Sequence, residues 1–211
     1  METTVTRRRG RPPKQAGGYS ETREALLRAG MVILTQKGFS ATGLDEILRS
    51  ISVPKGSFYH YFESKEGYGL ELIDTYAAYF ARKLDRFFLD ETRRPLVRIR
   101  DFVQDAKAGM ARFNYTRGCL IGNLGQEMGA LPEDFRERLS KVFADWEARL
   151  EKCLLAAKAL GEIPASVDCA RLAKFFWTGW EGAVLRAKLE CNATSLDLFA
   201  ESFFSLVSRA R

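Results

Sequence analysis

The chain has 211 residues, of which 46% are hydrophobic, and a net charge of +6. That is enough for a sizeable core in one large domain or two small ones. It contains no 18-residue uncharged apolar run and no early apolar run like a signal peptide. A membrane span is therefore excluded and a cytoplasmic setting expected. Cys119, Cys153, Cys169 and Cys191 lie far apart with no C-x-x-C pair. This argues for reduced thiols and against a metal site or a disulfide framework, and no cofactor is expected.

Most of the net charge lies at the start, where Arg7, Arg8, Arg9, Arg11 and Lys14 face only Glu2. Residues 1–18 are polar, basic and rich in Gly and Pro, which predicts a disordered arm with a polyanion as partner. Within it, Arg9-Gly10-Arg11-Pro12 is a flat arginine pair around a glycine. That shape suits a narrow minor groove and resembles the core of an AT-hook, while plain attraction to phosphate would use the same residues.

A first helix is expected from Ser20, with Ala25, Leu26, Ala29, Val32 and Ile33 at helical spacing and Gly38 as its stop. Thr42 is placed as an N-cap, with Asp45 three residues on in the acidic position of a capping box. The second helix then covers 43–50 and buries Leu44, Ile47 and Leu48. Ser52 and Pro54 open a tight turn, and Val53 to Phe62 follow. There Phe58 and Phe62 share a buried face, while Lys55, Gly56 and Ser57 sit at the helix start. A scaffold helix, a second helix, a tight turn and a third helix make a helix-turn-helix unit.

Residues 20–70 resemble the DNA-binding domain of TetR-family transcriptional repressors. The resemblance is carried by Gly38-Phe39-Ser40-Ala41-Thr42, by Asp45-Glu46-Ile47, by Val53-Pro54-Lys55-Gly56-Ser57-Phe58-Tyr59-His60-Tyr61-Phe62, and by Ser64-Lys65-Glu66. One departure is Ser52, where the family turn usually has glycine; a positive φ there would strain a serine mildly. By position, Thr42 should offer its hydroxyl to phosphate and Lys55 should reach a base edge or a phosphate. Gly56 lets the backbone approach closely. Ser57, Tyr59 and His60 can hydrogen-bond phosphate oxygens, with the core rim as the other reading of Tyr59 and His60. Lys65 resembles the family's phosphate-contacting lysine.

Beyond Ser64 the pattern is of long helices, expected over 65–89, 96–114, 132–160, 167–189 and 195–210, with a short Gly-rich helix near 118–124. The fold class expected is all-α with about nine helices. Its parts are the arm (1–18), a three-helix helix-turn-helix domain (19–63) and a helical ligand-binding and dimerisation domain (64–211). Gly67 and Gly69 read either as a hinge or as sites of close packing.

The resemblance implies a homodimer formed by the last two helices, where Gly179, Gly182 and Ala183 are small enough for close approach. It also implies a double-stranded DNA operator with two half-sites and a small-molecule effector. Gly118-Cys119-Leu120 with Asn123 resembles a TetR subgroup that senses electrophiles, acrylate and related small unsaturated acids or aldehydes. Cys119, at a helix start, is expected to have a lowered pKa and to act as a nucleophile, or else to be a small buried hydrophobe. Tyr76, Phe113 and Trp180 are the other candidates for the pocket wall. Lys107 or Asn123 would serve as the polar partner of an acid. An effector-released repressor is the principal reading, and a redox or electrophile switch through modified Cys119 is the alternative. An enzyme is not expected: the chain lacks a P-loop, G-x-G-x-x-G and H-E-x-x-H, and no catalytic residue is assigned.

Overall fold

A computed structural model describes the backbone of residues 16–209 and the side chains of residues 20–207. Among the described residues there are nine helices and no strand: α1 (Ala16–Lys37), α2 (Leu44–Ser50), α3 (Lys55–Phe58), α4 (Lys65–Phe88), α5 (Pro95–Arg112), α6 (Leu120–Gln126), α7 (Glu133–Ala159), α8 (Cys169–Glu190) and α9 (Thr194–Arg209). No helix among them is long and apolar enough to cross a membrane. Arg9 and Arg11 lie outside the described residues.

The first helix starts at Ala16, not at Ser20. Gly17 and Gly18 read as linker, yet extending an existing helix through glycine costs only about 1 kcal/mol per residue, whereas nucleation is the expensive step. Gly38 ends α1 at φ +84, a left-handed conformation natural to glycine. Ser52 takes φ 55 in the turn before α3, so a non-glycine residue does hold the left-handed position. The stretch from Val53 to Phe62, the recognition segment expected of a helix-turn-helix unit, is a short helix with a further turn: His60 N–H donates to the Ser57 carbonyl and Phe62 N–H to the Phe58 carbonyl. Phe58 and Phe62 are buried as expected, and their rings pack on Tyr68 of α4 at 5.4 and 4.7 Å. The Tyr68 hydroxyl donates to the Leu26 carbonyl at 2.6 Å. This ring cluster fixes the recognition segment against α1 and α4.

The larger domain closes around stacked aromatics from four helices. Phe80 (α4), Phe102 (α5), Trp146 (α7) and Trp177 (α8) meet at centroid distances of 4.5 to 6.1 Å, a range in which tilted and edge-on ring pairs are attractive. Helices α8 and α9 form a hairpin turned by Cys191 at φ 53. A Cβ at Gly179 would collide with Phe199 of α9, and Ala183 is buried. Both therefore serve packing within the chain, and of the three small residues expected at the dimer face only Gly182 opens outward. It lies in an exposed stripe of α8 made by Phe175, Thr178, Gly182, Leu185 and Leu189, at the alternating three-and-four spacing of a helix–helix seam.

Of the two glycines early in α4, Gly69 is a close-packing site. A Cβ there would lie 2.6 Å from both Phe39 and Phe135, whose rings are buried. At Gly67 the nearest atom is Ser64 Oγ at 3.5 Å. Gly69→Val should therefore destabilise the fold by about 2 kcal/mol or more through overpacking. Gly67→Ala should be neutral or stabilising by up to about 1 kcal/mol through helix propensity. Thermal denaturation of the two variants checks this, and equal melting temperatures would remove the packing role of Gly69.

Candidate functional site

Two features separate in space: a polar face on the small domain and a cavity at the junction of the two domains. On the face, Tyr59 is 58% exposed, His60 is exposed and Ser57 half-buried, and nothing lies within 4 Å of where a Gly56 Cβ would be. Lys55 pairs with Asp45 across the turn at 3.1 Å, with both side chains more than half exposed. Such a pair is worth at most about 1 kcal/mol, so Lys55 is readily released to another anion.

One expectation for this face is corrected. Thr42 is not the cap of α2; that position is Gly43. The Thr42 side chain is fully buried and its hydroxyl donates to the Gly38 carbonyl at 2.6 Å. A hydroxyl four residues after a carbonyl can back-bond to it as readily as it can cap a helix, and here it closes the end of α1. Lys65 donates to the Phe39 carbonyl at 3.1 Å and sits over the Phe39 ring, so its ammonium is already engaged in holding the 38–40 turn.

The cavity, of about 460 Å³, is walled by α1 (Arg28, Met31, Val32, Thr35), α4, α5, the chain entering α6, and α8. Of the residues expected in a pocket, Tyr76, Phe113, Cys119 and Trp180 meet on it. Lys107 does not: it pairs with Asp197 of α9. Asn123 does not either: its amide donates to the Leu34 and Thr35 carbonyls at 3.1 and 3.0 Å. Periodicity assigns a residue to a helix face, not to a partner on another helix.

Glu181 is a wall residue that sequence reasoning passed over. The signal was available, since position 181 is four after Trp177 and three before Val184, in the buried stripe of α8. Its carboxylate lies against Gly122 of α6, where any Cβ would collide with it. Burial raises Glu181 from its ordinary 4.5 to about 7. Cys119 is the N-cap of α6, its Sγ accepting from Gly122 N–H at 3.4 Å. The expected acidic thiol is nevertheless overturned. Burial, then the charge of Glu181, push Cys119 well above its ordinary value, against the opposing hydrogen bonds from Gly122 N–H and Tyr76. Tyr76 is likewise pushed up by burial, then by Cys119 and Glu181.

The wall of the cavity leads directly into the small domain. Gly118 N–H and Lys188 Nζ both donate to the Thr35 carbonyl, at 3.0 and 3.3 Å, beside the Asn123 bonds. At the other end of α6, Glu127 accepts from the backbone N–H groups of Phe39 and Ser40 at 2.9 and 2.6 Å. Helix α6 thus grips both the end of α1 and the turn that leads to α2.

Comparison with known proteins matches both halves. Residues 26–67 match the family of bacterial regulatory proteins of the tetR type, and residues 95–203 match the tetracyclin repressor-like C-terminal domain. The chain is 52% identical over 196 residues to the transcriptional regulator AcuR of Cereibacter sphaeroides, covering 93% of this chain and 89% of that one. It belongs to the TetR family of transcriptional regulators. The HTH-type transcriptional repressor NemR of Escherichia coli K12 is 31% identical over 177 residues, covering 84% of this chain and 89% of that one. A crystal structure of a TetR regulatory protein from Rhodobacter sphaeroides superposes with a TM-score of 0.85 at 52% identity, covering 86% of this chain and 96% of that chain. These TetR relatives are regulators, and this chain is a transcriptional regulator of the same family.

The buried carboxyl of Glu181 has a consequence for pH. In the unfolded chain it ionises near 4.5, and in the fold near 7. The unfolded state therefore gains from ionisation across that window, so this group's contribution to stability falls from about pH 4.5 to about pH 7 and is flat above. Glu181→Gln removes that contribution. Its melting temperature relative to the parent should rise across the same window and level off above it, and a difference independent of pH would refute the buried carboxyl.

Proposed function

We propose that this TetR-family regulator is a homodimeric, operator-binding repressor released by a small effector that enters the cavity beside Cys119. The effector class is a small unsaturated acid, aldehyde or related electrophile. The observation that carries the reading is the continuity of the cavity wall with the grips on the small domain. Gly118 and Cys119 line the cavity, and the helix that Cys119 caps holds α1 through Asn123 and the 38–40 turn through Glu127. An effector that favours one setting of α6 shifts the population toward that setting, by no more than its difference in affinity between the two. In a dimer this alters the spacing of the two recognition segments, which must match half-sites about one turn of DNA apart or a multiple of it.

The exposed stripe of α8 supports the dimer. Leu198 and Leu206, about two turns apart and exposed on α9, add apolar positions that a partner helix would cover. On the small domain, Lys55, Gly56, Ser57, Tyr59 and His60 form the DNA-facing set, with Arg9 and Arg11 adding reach from the arm. Thr42 and Lys65 act from behind by fixing the turn. Recognition of the effector by contact is favoured over attack by a thiolate, because Cys119 stays protonated at neutral pH.

Lys55→Ala and Tyr59→Phe should each weaken binding to the operator about tenfold at fixed salt while leaving the dimer intact in light scattering. Unchanged affinity in both would refute the assignment of this face. For the effector, a thermal-shift screen of small acids, aldehydes and enones should return compounds that also release the operator. Glu127→Ala should keep their thermal shift and reduce the release at least threefold. Full release from that variant would show that the signal does not pass through the 38–40 turn, and a screen with neither shift nor release would overturn the effector class.

A further inference from the structure

The cavity wall carries a guanidinium that, among the described residues, makes no ion pair. Three basic side chains reach its wall: Arg28, Lys83 and Arg117. Arg28 pairs with Glu24 at 3.2 Å and Lys83 with Asp105 at 2.6 Å. Among the described residues, Arg117 has no carboxylate within ion-pair distance. Its guanidinium lies on the Phe113 ring, 3.8 Å from the centroid, and its Nε is buried with no acceptor. Guanidinium does not lose its proton in proteins, and roughly nine in ten buried polar groups find a partner. Arg117 lines the cavity, so a ligand there can supply an acceptor to an under-satisfied guanidinium.

The chain is shaped to present this group. Asn114 and Tyr115 adopt φ 49 and 57 in succession, a conformation that non-glycine residues rarely take. They turn the end of α5 back on itself, with Tyr115 N–H on the Met110 carbonyl at 2.9 Å and Thr116 N–H on the Phe113 carbonyl at 3.0 Å. With the guanidinium over Phe113, its N–H donors act in its own plane. A planar fork of that kind matches a carboxylate with two parallel bonds.

We propose that Arg117 anchors the effector through a carboxylate, so that the ligand of this cavity is a monocarboxylate with an apolar body. The inference rests on the reading of the cavity as the effector site and narrows the ligand class. One guanidinium neutralises one charge, Lys83 is held by Asp105 and the Arg28 side chain is mostly exposed, so a second carboxylate would meet the apolar wall or the Glu181 carboxyl. The rest of the wall, with Phe80, Met110, Trp180 and Val184, fits an apolar body. Size sharpens the class further. An acid of five heavy atoms fills on the order of 100 Å³ at somewhat less than the ~30 Å³ that liquid water takes per molecule. The cavity, at about 460 Å³, admits a branched or aryl carboxylate as well.

The test is titration calorimetry of the full chain with acid and amide pairs of matched shape: acrylate with acrylamide, and cinnamate with cinnamamide. Each acid should bind at least tenfold tighter than its amide, and cinnamate tighter than acrylate. Arg117→Met should weaken acid binding at least tenfold and leave amide binding within threefold, with Arg117→Lys between the two. Amides that bind the parent chain as tightly as their acids would overturn the proposal without recourse to any variant. So would acid binding unaffected in both variants. Operator release, read in parallel by fluorescence anisotropy, separates this proposal from the reading beneath it. Release by aldehydes and amides but not by acids would sink the Arg117 anchor and leave the effector-released repressor standing. Acid binding that depends on Arg117, without any release of DNA, would uphold the anchor and sink the effector reading.

Discussion

The carboxylate of Glu127 on the amides of Phe39 and Ser40 is the contact on which the rest of the arrangement depends. These two N–H groups lie in the turn after α1, where no intrahelical acceptor is available to them. A charged acceptor supplies stronger bonds than a neutral one. Its location matters as much as its strength, since it sits at the C-terminal end of a helix whose N-terminal end caps on the cavity. Gly38 makes room for it, because a Cβ there would occupy the carboxylate's position. The turn that resembles the family motif in sequence is therefore, in three dimensions, half of a joint whose other half lies almost ninety residues on.

The C-terminal end of α1 is the second half of that joint. Its Thr35 carbonyl receives donors from the loop before α6, from α6 itself and from α8. A helix C-terminus carries partial negative charge and unsatisfied carbonyls, and the Lys188 ammonium and Asn123 amide answer both. Burial lowers the Lys188 pKa from its ordinary value while nearby Glu127 opposes the shift. The two grips of α6 are thus also electrostatic neighbours. Small displacements at Cys119 have few soft places in which to dissipate before they reach the small domain.

The helices and the helix-turn-helix unit were legible in the sequence because periodicity, capping residues and turn residues are local signals. The start of α1 was misread since two glycines look like linker when weighed alone. Thr42 was misread because one hydroxyl at one spacing serves two geometries. In the cavity, the aromatic wall was legible from its size and helical spacing, and Cys119 from its place at a helix start. The thiol's acidity was not, because it depends on Glu181, 62 positions away in the chain. Lys107 and Asn123 were chosen for their chemistry and failed on location. Arg117 and Glu181 drew no notice because one lies in a loop and the other in an apolar stripe. Both acquire meaning only once α5, α6 and α8 are side by side.

One wall of the cavity is α1, through Arg28, Met31, Val32 and Thr35, and α1 belongs to the DNA-reading unit. A molecule in the cavity therefore touches both parts of the protein at once and acts as mortar between them. Any excursion in which the small domain loosens from the larger one must first expel the ligand. The junction becomes more resistant to local opening as ligand concentration rises, by the ordinary logarithmic law of mass action. A cell rich in the ligand would hold a stiffer, longer-lived form of this regulator, apart from whatever happens at the DNA.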